Sequence, residues 1–468
     1  MKKNIFDVIK LSVFCLGFFA LALFGSFHFI QTDTFSTLTM KELQQRSDIE
    51  LAFVGSSIVR DQLNVQLIED EIGLTTFSAT IPCASMQASI AVTKEMLRTS
   101  RPEWVVLVVE PYNFQTVREG VEAQFKLMPF LSDPANMLEY YLRVCDEDGW
   151  YMDRLFMFRD FGAAGPMDII KTFGMRYFPE KTYEWLKPTI DPTVSYQGAG
   201  FLRHETDARA TDLIREKVIR EYTGYTYELL DGSKEQLLLY RQLCEENGMK
   251  LMVMISPNHT SHGLAEPGFL DYNQRLMDFC KEIGLPCYNF AMAKPELFPC
   301  LDEYYFDLFH MVGEGADILS RGFARVFNML MAGEDASHLF YADTAEYLAS
   351  IDFITNTWIS RYETGDEWNY AWEQDETRVK ELALSHEVYM ADCNHGPSVT
   401  AEYRFVIRNE DGSETLLQDY GVDTLYACAP DALKGKILRV YARVKDGTPE
   451  EHWYDLVIPG ESSLDRWA

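Results

Sequence analysis

The segment that most constrains the fold is Leu51 to Arg60, in which an apolar run of strand length ends at a glycine and two serines. The run Leu51 to Val54 is typical of a strand that is buried on both faces of a parallel sheet. Gly55 permits a tight exit, and Ser57 would then open a helix with its hydroxyl at the carboxyl edge of the sheet. We therefore predict that Ser57 is a nucleophile. The structural alternative is an ordinary turn or helix cap.

A second segment, Tyr304 to Arg321, supplies the residue types that a serine nucleophile needs. Asp307 precedes His310 by three positions, so both side chains can face one crevice from a single loop. In a serine hydrolase the imidazole takes the serine proton, and the carboxylate orients the imidazole and stabilises its charged form. The pattern from Glu314 to Val326 predicts a closing amphipathic helix that holds this loop against the sheet.

These two segments resemble the first and last blocks of a known family, the SGNH/GDSL hydrolase superfamily. The matching residues are GSS after the first strand and FDLFHMVGEGA before the last helix. They look most like the membrane-anchored acyltransferase branch, whose members are similar to the teichoic-acid D-alanyl transfer protein. The resemblance covers roughly Ile49 to Leu330. It implies a serine esterase or O-acyltransferase with a triad of Ser57, His310 and Asp307.

The middle blocks of the family complete its oxyanion hole, with a glycine N–H after the second strand and an asparagine after the third. In this chain Cys83 stands where the glycine is expected, and Asn113 is the nearest match to the asparagine. A backbone donor survives a change of side chain, so the resemblance implies an oxyanion hole of Ser57, Cys83 and Asn113. Glu110 lies nearer the strand end, so either Glu110 or Asn113 can reach the site. The alternative for Cys83 is a small apolar residue in a packed turn.

The N-terminal run Leu11 to Ile30 carries no formal charge over twenty residues, which is long enough to cross a bilayer as a helix. Lysines precede the run and none closely follows it, which predicts a cytoplasmic N-terminus and an extracytoplasmic remainder. A cleaved signal peptide is the alternative, with Ala20 to Ala22 as its small-residue site. Because that site lies inside the apolar run, we predict a retained single-pass anchor in the cell membrane.

Charge and cysteine content limit the partners of the remaining chain. There are 42 basic and 72 acidic side chains, a formal charge of −30, which disfavours nucleic acid and anionic lipid as ligands. The nine cysteines include no Cys-x-x-Cys pair. Cys280 and Cys287 flank a turn and could pair, but we expect reduced, buried thiols rather than a disulfide framework.

The segment SPNHTSH raises the question of a zinc site, because His259 and His262 stand three positions apart. The pair lacks the helical i, i+4 spacing of the common zinc motif, and only Glu266 lies close enough to suggest a further ligand. We therefore predict no metal and no cofactor. We expect instead a polar loop at the rim of the site, in which Asn258 or His259 contacts substrate, with Glu110 as a further candidate.

Alternating strand and helix patterns predict an α/β fold with a doubly wound, flavodoxin-like parallel sheet. Helical patterns at Ile90–Leu97, Ser233–Gly248 and Phe269–Ile283 alternate with strand patterns at Val105–Val109, Leu251–Ile255 and Cys287–Phe290. Such sheets bind ligands at the carboxyl ends of their strands. The residues expected at that edge are Ser57, Asn113, Asn258 and His310.

A long interruption from 115 to 225 predicts a helical insertion that shapes access to the site. Helices are predicted at Met137–Val144, Asp168–Met175 and Thr211–Glu221, and a loop is predicted at Tyr196–Glu205. The alternative is an insertion that serves packing alone. His204 has no partner that can be seen in the sequence.

The chemistry signals stop at a linker, Ala332 to Ser337, and alternating strand patterns such as Glu402 to Arg408 follow it. They predict a small antiparallel β-sandwich that binds glycan or a partner protein, or that serves as a spacer. The predicted domains are therefore a cytoplasmic tail and anchor at 1–32, an SGNH-like domain at 45–331 and a β-sandwich at 338–468.

The sequence thus predicts a membrane-anchored, extracytoplasmic serine O-acyltransferase or esterase. We expect it to act on ester groups of cell-envelope glycans or teichoic-acid-like polymers. The resemblance also implies a membrane-bound O-acyltransferase as partner. The alternative function is a catalytically silent envelope-binding or assembly protein that retains the same fold.

Overall fold

The structure is a computed structural model of the chain. It describes residues 2–28, 33–82, 84–110, 113, 127–148, 165–207, 231–259, 267–307, 309–352, 354–362, 376–395, 399–445, 447 and 452–458. Cys83 and the predicted helix at Thr211–Glu221 lie outside these residues.

The described helices and strands, in chain order, are as follows. The helices are α1 (Lys2–His28), α2 (Thr34–Leu43), α3 (Ser57–Gln62), α4 (Val65–Ile72), α5 (Met86–Met96), α6 (Pro134–Asp148), α7 (Pro166–Tyr177), α8 (Pro179–Leu186), α9 (Asp231–Glu246), α10 (Pro267–Glu282), α11 (Gly313–Ala332), α12 (Thr344–Ser350) and α13 (Glu376–Ala383). The strands are β1 (Leu51–Gly55), β2 (Thr76–Thr80), β3 (Trp104–Val109), β4 (Val194–Gly198), β5 (Phe201–His204), β6 (Lys250–Ile255), β7 (Cys287–Asn289), β8 (Ile354–Arg361), β9 (Glu387–His395), β10 (Ala401–Arg408), β11 (Glu414–Gly421), β12 (Leu425–Cys428), β13 (Ile437–Val444) and β14 (His452–Val457).

A parallel sheet of five strands carries the candidate site. Its strands pair in the order β2–β1–β3–β6–β7, and every pair is parallel. The chain moves from β1 to one side to form β2 and then to the other side to form β3. Right-handed crossovers therefore place the connecting helices on opposite faces of the sheet. The direction reverses between β1 and β3, and in open sheets ligands bind beyond the carboxyl ends of the strands at this reversal.

The continuous apolar runs of the central strands follow from burial on both faces. All residues of β1 and β3 are buried. On one face, the Phe53 ring packs edge-on against Phe323 of α11, with ring centroids 4.8 Å apart. Between α5 and α9, the hydroxyls of Thr93 and Tyr240 share a buried hydrogen bond of 2.6 Å. Helices thus cover the sheet and hold the end of β1 in a fixed place.

Helix α1 corrects the prediction of a membrane anchor. Among the residues that the structure describes, no helix is long and apolar enough to cross a membrane. Lys2, Lys3, Asp7 and Lys10 place charges in the first third of α1, which is described from Lys2 to His28. The transmembrane helix predicted at Leu11 to Ile30 is therefore wrong, as are the single-pass location and the fold class that included it. The described residues form a mixed α/β structure with one parallel sheet and several antiparallel sheets.

The insertion between β3 and β6 is not purely helical. Helices α6 and α7 lie where helical patterns predict them, but the predicted loop at Tyr196–Glu205 is largely an antiparallel hairpin of β4 and β5. Its turn contains two glycines with positive φ, Gly198 at 91° and Gly200 at 82°, around Ala199 at 48°. Such a turn depends on backbone conformations that hydrophobic periodicity does not report. The loop prediction was wrong for this reason.

Two antiparallel sheets follow the parallel sheet in the chain. One has the order β11–β10–β13–β14 and the other β12–β9–β8. Side chains from both sheets share one buried apolar cluster, which includes Ile359, Tyr389, Phe405 and Leu438. Sheet-on-sheet packing of this kind is the arrangement of a β-sandwich. The domain boundaries themselves remain predictions.

Candidate active site

The turn after β1 has room only for a glycine at position 55. A Cβ atom at Gly55 would lie 2.7 Å from the carbonyl oxygen of Val108 in β3 and equally close to the side chain of Val59. Real Cβ atoms do not approach other atoms this closely, so only glycine lets β1 run beside β3 and enter α3 at once. The close packing directs the next two serines to different surroundings.

Ser56 caps α3 and is occupied by structural hydrogen bonds. Its hydroxyl donates to Glu110 Oε1 at 2.9 Å and accepts from the backbone N–H of Ile58 at 3.3 Å. The residue is 1% exposed. These contacts leave Ser57, the first residue of α3, as the serine that contacts His310.

Ser57 and the predicted Asp-His loop form one chain of hydrogen bonds. Ser57 Oγ lies 2.9 Å from His310 Nε2, and His310 Nδ1 lies 2.7 Å from Asp307 Oδ2. The other oxygen of Asp307 accepts from the backbone N–H groups of Phe309 and His310 at 2.8 and 2.7 Å. The carboxylate is therefore held by its own loop and fixes the imidazole. When Nδ1–H donates to Asp307, Nε2 is the nitrogen that accepts the serine proton.

The surroundings of His310 favour its charged form. Burial acts to lower the pKa of His310, but the hydrogen bond and the charge of Asp307, together with the charge of Asp61, raise it above its ordinary value. Burial acts to raise the pKa of Asp307, but the His310 contact outweighs it, and the pKa is lowered. The arrangement suits an imidazole that must hold a proton during a reaction.

Gln62, which sequence reasoning missed, ties three parts of the site together. It is the last residue of α3 and is 1% exposed. Its side-chain amide donates to the carbonyl oxygens of Phe309 at 2.5 Å and Pro257 at 3.2 Å, and it accepts from the hydroxyl of Ser256 at 2.6 Å. The helix that carries Ser57 thus fixes the loop that carries His310.

Asp61 is a second carboxylate at the site, and it was also missed. Its Oδ2 atom lies 3.8 Å from His310 Nε2 and 3.6 Å from His204 Nε2, while Oδ1 accepts from Arg60 Nε at 2.8 Å. Burial acts to raise the pKa of Asp61, but the charge of Arg60 and the contact with His204 outweigh it and hold the pKa at about 2. Asp61 follows Ser57 by four positions, so one face of a helix brings the two together. The four-residue spacing from Ser57 is the sequence pattern from which Asp61 could have been predicted.

His204 reaches the site on the hairpin of β4 and β5. At its turn, the N–H of Ala199 donates to Glu42 Oε1 at 3.0 Å, and the Ala199 carbonyl accepts from the N–H of Ser78 at 2.8 Å. Next to His204, Arg203 donates to both carboxylate oxygens of Asp317 in α11 at 2.9 Å.

These contacts hold the His204 ring 4.4 Å from the Phe306 ring, which in turn stacks on His310 at 5.8 Å. No pattern in the sequence predicts this long-range contact.

The residues predicted for the oxyanion hole have structural contacts. Asn113 is buried, its Oδ1 accepts from the N–H of Glu110 at 2.8 Å, and its Nδ2 donates to the carbonyl of Ala84 at 2.7 Å. Glu110 contacts the turn after β1 through the hydroxyl of Ser56. Cys83 lies outside the described residues, although its neighbour Ala84 is joined to Asn113.

Asn258 and His259 follow β6 and are buried, 4% and 0% exposed, rather than displayed at a rim. The carbonyl of Asn258 accepts from Cys300 Sγ at 3.1 Å, and the His259 ring lies edge-on to Tyr305 at 5.8 Å. His262 and Glu266 are not among the described residues. Within the part of the chain that the structure describes, no group of three His, Cys, Asp or Glu side chains could hold a metal ion.

No family model matches the chain, and no curated protein matches it. A solved structure from Bacteroides fragilis NCTC 9343, provisionally described as an acylhydrolase, is similar to it with 9% identity and a TM-score of 0.31. The similarity covers 63% of this chain and 95% of that one. A similarity this weak is no basis for assigning an activity, so the site geometry must support any function.

Proposed function

We propose that the protein is a serine esterase or O-acyltransferase of the SGNH type. The observation that carries the proposal is the continuous chain of hydrogen bonds from Ser57 through His310 to Asp307, with distances of 2.9 and 2.7 Å. The distances are those expected of a nucleophile, its general base and the carboxylate that orients the base. The lowered pKa of Asp307 keeps that carboxylate charged at neutral pH.

The proposed reaction begins when Ser57 Oγ attacks the carbonyl carbon of an ester and its proton moves to His310 Nε2. The tetrahedral intermediate then collapses, the bond to the leaving oxygen breaks, and the Nε2 proton passes to that oxygen. Water or an acceptor hydroxyl attacks the acyl-enzyme with His310 again as base, which releases Ser57. The N–H groups of Ser57 and Cys83, with Asn113, are the proposed oxyanion donors.

We further propose that the acceptor is a hydroxyl of a glycan or teichoic-acid-like polymer, as in the branch that the motifs resemble. The insertion supports this proposal, because its hairpin packs beside the site and brings His204 to it. A segment beside the site can limit the access of water to an acyl-enzyme. Adding such a polymer to the purified protein with an activated ester should divert acyl groups from free acid to polymer. Release of free acid that polymer neither diverts nor slows would favour the simple esterase.

The direct test of the nucleophile is covalent labelling with a fluorophosphonate, which reacts with activated serines. Wild-type protein should be labelled at Ser57, as located by peptide mass spectrometry. Ser57→Ala should abolish labelling, whereas Ser56→Ala is the matched control and should retain it. An unlabelled wild-type protein would favour a catalytically silent binding protein, and a label on Ser56 would move the nucleophile by one residue.

A further inference from the structure

The geometry points to Asp61 as a second carboxylate that acts on His310 from the side opposite Asp307. We infer that Asp61 is a positioning residue that stabilises the imidazolium formed when His310 takes the proton of Ser57. The inference rests on the proposed function of this site. The pKa of His310, which does not depend on turnover, tests the two separately.

The two carboxylates lie at the two nitrogens of one ring. Asp307 Oδ2 is 2.7 Å from Nδ1 and within hydrogen-bonding distance, whereas Asp61 Oδ2 is 3.8 Å from Nε2 and outside it. Asp61 therefore leaves Nε2 available to the Ser57 hydroxyl at 2.9 Å. Its negative charge still faces the nitrogen that becomes N–H during the reaction. A charge at this distance in a buried site favours a positive partner.

The charged and titratable groups around His310 come from three elements. Its own loop supplies Asp307, α3 supplies Asp61 and Arg60, and β5 supplies His204. Arg60 offsets part of the Asp61 charge through contacts of 2.8 and 3.3 Å, and it is itself 3.5 Å from Asp33. The net effect of this surrounding charge is to raise the pKa of His310.

Asp61 takes no proton in the proposed step. Its pKa of about 2 keeps it ionised, so the proton passes only between Ser57 Oγ and His310 Nε2 and then to the leaving oxygen. Asp61 is 3% exposed, both of its oxygens accept from Arg60, and His204 Nε2 faces Oδ2 at 3.6 Å. These contacts fix its position beside Nε2 without a bond to the reacting atoms. The hairpin that brings His204 thereby becomes part of the support of the site.

The attraction between the Asp61 carboxylate and the His310 imidazolium determines how activity depends on pH. His310 must be neutral to act as a base, so activity rises as pH increases through its pKa. Removing the Asp61 charge makes the imidazolium less stable and lowers that pKa by about 1 unit. The acid limb of the pH profile should therefore move to lower pH, while the plateau should fall about threefold to tenfold because the base is weaker.

The experiment compares Asp61→Asn with wild type in the full chain. Asp70→Asn is the matched control, because it makes the same change at an exposed position of the neighbouring helix α4. The pKa of His310 is measured by NMR of labelled imidazole, with the resonance assigned by its loss in His310→Gln. The pH dependence of fluorophosphonate labelling is the second readout. Asp61→Asn should lower both midpoints by about 1 unit, and the control should change neither.

Arg60→Gln gives a change of opposite sign and covers the case in which Asp61→Asn does not fold. Removing Arg60 leaves the Asp61 charge less compensated, so the pKa of His310 should rise. An unchanged pKa of His310 in a folded variant of either kind would overturn the inference. If the variants change the pKa of His310 as expected but the wild-type protein is not labelled, the proposed catalytic function is overturned and the electrostatic role of Asp61 stands.

Discussion

The candidate site and one face of the four-stranded sheet β11–β10–β13–β14 both bring arginines, carboxylates and rings together. They arrange their charges differently. On β13, Arg439 and Arg443 alternate with buried apolar residues. Arg439 donates to Asp455 at 2.6 and 2.8 Å and lies 3.8 Å over the Trp453 ring. Arg443 in the same way donates to Glu402 at 2.9 Å. Each of these arginines contacts a carboxylate on a neighbouring strand, and Asp455 also accepts from Arg408 at 3.1 Å.

In the candidate site, by contrast, one histidine lies between two carboxylates. Asp307 and Asp61 flank His310, and Arg60 is the cation that faces Asp61. An arginine is charged whatever its surroundings, whereas a histidine changes its charge near neutral pH, so extra negative charge around it alters its protonation. On the sheet face the charges of neighbouring strands balance one another, whereas the negative charge around His310 raises the pKa of its ring.

The largest expected effect is on activity in the candidate site. His310→Ala should lower kcat/KM by about three to six orders of magnitude, and Asp307→Asn somewhat less, because the first removes the base and the second only its orientation. Steady-state hydrolysis of an activated ester measures both. Arg443→Gln on β13 is the control and should leave kcat/KM unchanged. Loss of less than about tenfold in His310→Ala would mean that another group is the base.

Two glycines with the same φ distinguish the energetic cost of a steric clash from that of backbone strain. Gly200 and Gly412 share a φ of 82°, but a Cβ at Gly200 would lie 2.0 Å from the carbonyl oxygen of Ser78, whereas a Cβ at Gly412 meets nothing within 4 Å. Gly412→Ala should cost about 1 kcal/mol of unfolding free energy from backbone strain alone. Gly200→Ala should cost at least about 3 kcal/mol, because it also forces the hairpin away from β2.

Denaturant unfolding of the two variants measures these costs. Equal costs for the two glycines would show that the hairpin is not packed against β2 in solution. In that case the contact of His204 with Asp61 would also be absent. A larger loss of unfolding free energy in Gly200→Ala would show that the hairpin docks on β2. If the pH profile of fluorophosphonate labelling also shifts in that variant, docking of the hairpin affects the candidate site.

The smallest expected effect is on stability, at the face of β13 that carries Arg439. Arg439→Gln should cost about 1 kcal/mol or less, because partly exposed ion pairs contribute little to stability and glutamine retains some packing on Trp453. The cost should decrease further at high salt, since screening weakens the pair in the wild type. Denaturant unfolding at low and high salt measures it. A cost of several kcal/mol would show that the pair on β13 behaves like a buried one.

The predicted triad depends on two local patterns, a strand that ends at Gly55 and an Asp-His loop before a helix, and the structure brings Ser57, Asp307 and His310 together. The contacts of Gln62 and His204 at the site depend on which segments of the chain meet in space. Hydrophobic periodicity does not report such contacts. Asp61 was accessible through its helical spacing from Ser57 but was not recognised. The predicted membrane anchor depends on the hydropathy of one run, and it is wrong because no described helix is long and apolar enough to cross a membrane.

The hairpin turn also has a consequence for how the molecule meets other copies of itself. Strand β2 is at the edge of the parallel sheet, where unpaired backbone groups offer a template for another strand. The carbonyl of Ala199 accepts from the N–H of Ser78, in the middle of β2, and Gly200 brings the turn into direct contact with the backbone there. The hairpin that supports the candidate site therefore also blocks strand addition at this edge, so undocking it would expose a surface prone to aggregation.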